Sequence, residues 1–136
     1  AFVKNKCRLV ISLDSGSKET YKKIKQVDCF DKVVDNLKSY INASDNAKTN
    51  ITLKYIIVDN INDNKDEIEK FMQLVKNLGI KNVRLDFDYE KYKFTGESTV
   101  PEYYFDLYKY FFSSAEEKNL KVQKCDQIEA ILDKSR

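Results

Sequence analysis

The chain contains no histidine, and that absence removes more chemistry than any other feature of its 136 residues. A Ser–His–Asp or Cys–His catalytic set cannot be built. Asp86 and Asp88 have no imidazole to join in a metal centre, and no acidic cluster has the spacing of a calcium loop. Glycine is almost as scarce. Gly16, Gly79 and Gly96 are the only three, so there is no glycine-rich loop to cradle a phosphate. The three cysteines, Cys7, Cys29 and Cys125, are odd in number and widely scattered. They suit neither a disulfide framework nor a zinc or iron–sulfur ligand set. Buried free thiols in a reducing cytoplasm are the plain reading. No apolar run approaches the roughly 20 residues of a membrane helix. Ala1–Lys6 lacks the apolar stretch of a signal peptide, and a start on Ala1 rather than methionine suits an excised piece. Charge of one sign is missing too: 24 basic residues face 22 acidic ones, a net +2. That balance makes no case for nucleic acid or an anionic membrane as partner.

What remains is a foldable, patterned chain, 42% hydrophobic and 34% charged, of a length that suits one domain over residues 1–136. β-type and α-type patterns alternate along it. Cys7 to Leu13 carries Leu9, Val10, Ile11 and Leu13 and reads as a buried strand ended by Asp14-Ser15-Gly16. Ser17 caps a short helix through Lys23. A second helix starts near Asp28, with Phe30, Val33, Val34, Leu37 and Ile41 at helical spacing. The polar stretch from Ser44 to Asn50 reads as a loop. Ile51 to Val58 is the next strand, and Asp59 to Asn64 is a turn-forming cluster with Asp63 as the expected N-cap. Ile68, Phe71, Met72, Val75 and Leu78 form the stripe of the helix that follows, stopped by Gly79. The third strand runs from Asn82 to Asp88. Residues Glu90 to Ser98 read as a loop, and Thr99-Val100-Pro101-Glu102 is a capping-box pattern for a helix carrying Tyr104, Leu107, Tyr108, Phe111 and Ala115. Leu120 to Lys124 is a candidate fourth strand and Asp126 to Asp133 a terminal helix. The alternation predicts an α/β fold with right-handed crossovers and a parallel sheet.

In such folds ligands bind beyond the carboxyl ends of the strands. The polar residues there are Ser12 and Asp14 after the first strand, Asn60 and Asn62 after the second, and Asp86 and Asp88 at the third. Each also has a bland reading. Asp14 can be a turn residue, and the Asp59–Asn64 cluster a capped loop. Lys54 and Arg84 are charges inside apolar runs, which is costly unless they are paired or face a wet cavity. Alternation puts Arg84, Asp86 and Asp88 on one face of the third strand and Val83, Leu85 and Phe87 on the other. A doubly wound sheet wants both faces apolar, whereas the inward face of a barrel is polar where a ligand sits. The same face should carry Ser12, Asp14 and Lys54.

The run Arg8-Leu9-Val10-Ile11-Ser12-Leu13-Asp14-Ser15-Gly16 resembles the fourth barrel strand of radical S-adenosylmethionine (SAM) enzymes. Glu19-Thr20-Tyr21, Ile24-Lys25, Phe30-Asp31-Lys32-Val33 and Asn36-Leu37 continue that pattern. Ile51-Thr52-Leu53-Lys54-Tyr55-Ile56-Ile57 resembles the fifth strand, Asn62-Asp63, Glu67-Ile68 and Phe71 the helix start after it, and Gly79-Ile80-Lys81-Asn82-Val83 the entry to the sixth. The resemblance covers roughly residues 1 to 89 and rests on a string of short matches.

It implies a partial, half TIM-like barrel of three to four parallel strand–helix units. The C-x-x-x-C-x-x-C loop that binds the family's [4Fe–4S] cluster does not occur here, so strands one to three would lie outside this chain. The full-length parent would bind the cluster, cleave SAM and start radical chemistry. The fragment alone is expected to bind neither cofactor and to be inactive, with no catalytic or metal-ligating residue of its own. By the resemblance, Ser12, Asp14, Lys54, Asn60 and Asn62 are cofactor-binding positions, and Arg84, Asp86 and Asp88 are substrate-binding ones. The expected partners are the missing N-terminal half and a second copy, docked on the exposed edge strand or the concave face. The rival reading is a non-catalytic α/β binding or scaffold domain, flavodoxin-like in outline. A receiver-like phosphoacceptor domain fits less well, because Asp14 lacks the acidic and lysine companions that chemistry needs.

Overall fold

The computed structural model describes residues 8–44, 46–88 and 101–123. Among these residues four strands are joined by helices, five in all: β1 (Leu9–Ser12), α1 (Lys18–Lys25), α2 (Phe30–Ala43), α3 (Ala47–Asn50), β2 (Ile51–Ile57), α4 (Lys65–Leu78), β3 (Asn82–Phe87), α5 (Tyr103–Glu117) and β4 (Lys121–Gln123). Local chemistry sets most boundaries. The Ser17 side chain accepts the Thr20 N–H and starts α1. The helix ends at Gln26, whose φ of 62° is left-handed, so it outlasts the expected stop at Lys23. α2 starts two residues after Asp28, with Cys29 at its cap making no side-chain capping bond. Asn64, not Asp63, caps α4 by accepting the Glu67 N–H at 2.9 Å. Asp63 instead accepts from the Tyr103 hydroxyl at 2.7 Å. Gly79 takes the left-handed stop at φ 78°.

Within the expected loop before β2, residues Ala47–Asn50 close one helical turn. Tertiary contacts decide this where periodicity gives no sign. Ala47 is fully buried, Lys81 N–H donates to Lys48 O, and Asn82 Nδ2 donates to Thr49 O. The capping pattern at residues 99–102 lies partly outside the described residues, and α5 begins at Tyr103 with no side-chain cap from Glu102. Cys7, Cys125, the loop from 90 to 98 and the terminal helix expected at 126–133 lie outside them as well.

The sheet order is β1-β2-β3-β4, every pair parallel. Four consecutive neighbours do not occur in the flavodoxin-like order 2-1-3-4-5, which reverses at a switch point. With right-handed crossovers, an unreversed order keeps every helix on one face. Burial agrees. Leu53, Tyr55 and Ile57 of β2 are inaccessible and share a core with Ile68, Phe71, Met72 and Val75 of α4 and Phe111 of α5. The Tyr55 ring meets Phe71 edge-on at 5.0 Å and Phe111 at 6.1 Å. Val83, Leu85 and Phe87 continue that face, and Phe87 stacks obliquely on Tyr104 at 5.1 Å. No described helix is long and apolar enough to cross a membrane.

Two contacts fix how the helices sit. The loop after β1 crosses α4 so closely that a Cβ on Gly16 would lie 2.2 Å from the Lys70 carbonyl carbon. Backbone cannot yield there as a side chain would. Farther along, Glu69 of α4 accepts from Tyr110 (2.9 Å), Ser114 (2.8 Å) and Lys118 of α5. Burial pushes the Glu69 carboxyl up, but the hydrogen bonds from Lys118, Ser114 and Tyr110 outweigh it, and the net direction is down.

Gly16→Ala is therefore expected to destabilise the fold by about 3 kcal/mol, the upper range of overpacking, read as a lower urea midpoint at unchanged slope. The Glu69 contribution is present above the carboxyl's unfolded pKa and is lost as pH falls through its lower folded value. Urea midpoints should thus drop more steeply between neutral and acid pH in the parent chain than in Glu69→Gln. Parallel pH curves for the two proteins would contradict this.

Candidate functional site

The face turned away from the helices is built by strand alternation. Ser12 aligns with Lys54, Lys54 with Arg84, and Arg84 with Gln123. One polar side chain from each of the four strands thus stands in a single row. Thr52 and Asn82 lie one step toward the amino ends, Ile56 and Asp86 one step toward the carboxyl ends. The expected shared face holds for Ser12, Lys54, Arg84 and Asp86, and Lys54 keeps clear of the Phe71–Met72 stripe; it does not hold for Asp14, whose carboxylate is buried against the Ile56 N–H where β1 turns away.

Asp86 organises the middle of this face. Its Oδ2 lies 3.7 Å from Lys54 Nζ and 3.2 Å from Arg84 Nε. The carboxylate is almost fully buried, while the side chains of Lys54 and Arg84 are 25% and 33% exposed. The contact to Arg84 is an ion pair rather than an aligned hydrogen bond, since Nε makes none. Both cations reach the accessible side of the sheet. Asp88, just past β3, is exposed.

At the carboxyl ends of β1 and β2 the picture is different. Asp14 is buried in the left-handed region at φ 60°. Its Oδ2 accepts from Ser12 Oγ at 2.9 Å and Lys25 Nζ at 2.7 Å, and its Oδ1 from the Ile56 N–H at 2.7 Å. Asn62 is fully buried. Its Nδ2 donates to Asp14 O and Ile56 O, and its Oδ1 accepts the Val58 N–H. The Tyr55 hydroxyl closes the loop by donating to Asn62 O at 2.5 Å, and burial pushes that phenol far above its ordinary pKa. Asn60 is exposed and left-handed at φ 65°, a turn position on the loop surface. Asp59 accepts from both Tyr103 and Tyr104, so this loop is also tied to the start of α5.

Of the eight candidate positions, Ser12, Lys54, Arg84 and Asp86 share the open face. Asp14 and Asn62 meet one another beneath it, and Asn60 and Asp88 lie at the rim. Sequence reasoning missed Lys25 and the two tyrosines. Lys25 reads as one of several solvated helix lysines, and nothing in its spacing from Asp14 marks the pair. Among the described residues, no three His, Cys, Asp or Glu side chains are grouped to hold a metal. The one described cysteine, Cys29, contacts the Tyr21 hydroxyl at 3.5 Å. A surface groove lined by Lys38, Ile41, Lys48 and Leu78 lies at the opposite end of the strands.

Over 78 residues the chain is 36% identical to a probable GTP 3',8-cyclase of Saccharolobus islandicus (strain M.14.25 / Kamchatka #1), a stretch covering 57% of this chain and 23% of that protein. A probable GTP 3',8-cyclase of Saccharolobus solfataricus matches with the same identity and coverage. The matched stretch thus spans less than a quarter of the length of these curated relatives. No family model and no solved structure matches the chain.

The Asp86 arrangement makes a definite expectation. Asp86→Leu removes the carboxylate that Lys54 and Arg84 share and should cost about 2–3 kcal/mol, below the range for a fully buried pair because the cations are partly solvated. Adding Lys54→Met and Arg84→Met to the same chain should recover most of that loss, measured by urea denaturation.

Proposed function

We propose that this chain supplies the fourth to sixth strand–helix units of a radical SAM enzyme barrel. The observation that carries the reading is the polar row Ser12–Lys54–Arg84 on the helix-free face of a singly wound parallel sheet. In a closed barrel that face becomes the inner wall. The similarity to proteins named probable GTP 3',8-cyclase points the same way, since that activity is a radical SAM one. The strand-four and strand-five motifs read from the sequence agree with it.

In this proposal the [4Fe–4S] cluster is held by the cysteine loop of the N-terminal strand–helix units and not by cysteines of this chain, and the cluster and SAM together supply the radical. No step of that chemistry is assigned to this chain. The Ser12 hydroxyl and the Lys54 ammonium are suited to a polar, carboxylate-bearing ligand such as SAM. Arg84 stands in the same row one strand farther along and Asp86 one step nearer the carboxyl ends, and these two are proposed to face the substrate. β1 pairs with only one strand among the described residues. Its other edge is proposed to pair with the N-terminal half of the same protein or, in the isolated chain, with a second copy. A non-catalytic binding or scaffold role is the second reading. It is favoured by the hydrogen bonds to protein that engage both oxygens of Asp14 and the whole amide of Asn62 at the strand ends, where a site would leave polar atoms to a ligand.

The test is anaerobic reconstitution with iron and sulfide of a polypeptide that joins this chain to a C-x-x-x-C-x-x-C segment about a hundred residues upstream, the length of three strand–helix units. Reduction should then release 5'-deoxyadenosine from SAM, and Lys54→Ala should raise the SAM concentration needed for half-maximal release by about tenfold, the factor for one charged hydrogen bond. A fully loaded cluster with no SAM cleavage would leave the scaffold reading.

A further inference from the structure

We infer that Asp14 and Asn62 are positioning residues: their side chains continue the β1–β2 ladder after the backbone of β1 has turned away. Pairing between the two strands ends at Ser12 opposite Lys54. There the chain bends, and the N–H groups of Leu13 and Asp14 both donate to Lys54 O at 3.1 Å. β2 runs on to Ile57 to pair with β3. In a parallel strand the N–H and C=O of one residue point to the same side. Those of Ile56 therefore face the place that β1 has left. A buried amide without partners costs about 1–3 kcal/mol.

Side chains fill that place. Asp14 Oδ1 stands in for the missing strand carbonyl and accepts the Ile56 N–H at 2.7 Å. Asn62 Nδ2 stands in for the missing strand N–H and donates to Ile56 O at 2.8 Å. Its second proton goes to Asp14 O at 2.9 Å, which joins the two loops directly. Its Oδ1 holds Val58 N–H at 2.7 Å and closes the loop on itself. Lys25 and Ser12 neutralise and orient the remaining carboxylate oxygen. An asparagine amide offers two donor protons and one oxygen, and Asn62 commits all of them to backbone. Asn62 therefore has no donor left for a ligand, and both Asp14 oxygens already accept from protein groups. The left-handed backbone of Asp14 is what aims its carboxylate back at β2.

The inference deepens the barrel reading by removing two residues from the ligand-contacting set and making them the frame of the pocket rim. It is tested in the chain alone, without SAM, by amide hydrogen exchange. Failure would remove the frame and leave the proposed pocket standing; absent SAM cleavage would remove the pocket and leave the frame. In the unaltered chain the Ile56 and Val58 amides should exchange at least about tenfold more slowly than that of the exposed turn residue Asn60. Asp14→Ala should speed Ile56 exchange by about tenfold or more while Leu85 in β3 stays protected. Asp14→Asn keeps an oxygen for the Ile56 N–H and should hold its protection within about threefold of the parent. Rapid exchange at Ile56 in the parent chain would overturn the inference. So would equal loss in the asparagine and alanine variants, or full protection in the alanine one.

Discussion

The hand of the crossover connection is the constraint from which the rest of this structure follows. A right-twisted strand followed by a right-handed helix returns to the sheet on one side only. The four strands lie side by side in chain order, so that side is the same at every step. Helices α4 and α5 cover one face with Phe71, Met72, Val75 and Phe111, and the other face carries Thr52, Lys54, Asn82, Arg84 and Asp86 beside Val10 and Ile56. Lys54 and Arg84 tolerate their place inside apolar strands for two reasons. They point to the uncovered side and share the carboxylate of Asp86.

A singly wound sheet of strands of unequal length meets a second problem at its carboxyl ends. β1 stops at Ser12 while β2 continues for three residues beyond Lys54. Backbone groups on the longer strand must be satisfied by something other than a strand. Asp14 and Asn62 do this from the two loops, and Tyr55 supports Asn62 from the core side. The tyrosines of α5 then tie the outer part of the same loop through Asp59 and Asp63. Beneath the rim of the polar face the ladder is thus completed by side chains.

Much of this was legible in residue patterns. Val83, Leu85 and Phe87 alternating with Arg84 and Asp86 gave a strand with one polar face, and the structure keeps that division. The spacing of Ile68, Phe71, Met72, Val75 and Leu78 marked the buried stripe of α4, and Gly79 its end. Asn64 taking the cap in place of Asp63 was not legible. Both residue types cap well, and what separates them is Tyr103, forty residues later in the chain. The turn of helix at Ala47–Asn50 was equally hidden, since its support comes from Lys81 and Asn82 at the start of β3.

The candidate site divides along the same line. By itself the sequence determined which residues lie at strand ends and which strand positions share a face, because a strand's period of two is a local property of the backbone. It also excluded histidine chemistry and a cysteine cluster loop by composition. Only the tertiary structure decided that Asp14 and Asn62 face each other and the orphaned backbone of Ile56, while Ser12, Lys54 and Arg84 line the open side. Hydrogen-bond satisfaction depends on where neighbouring strands stop, and that is settled by register between segments some forty residues apart.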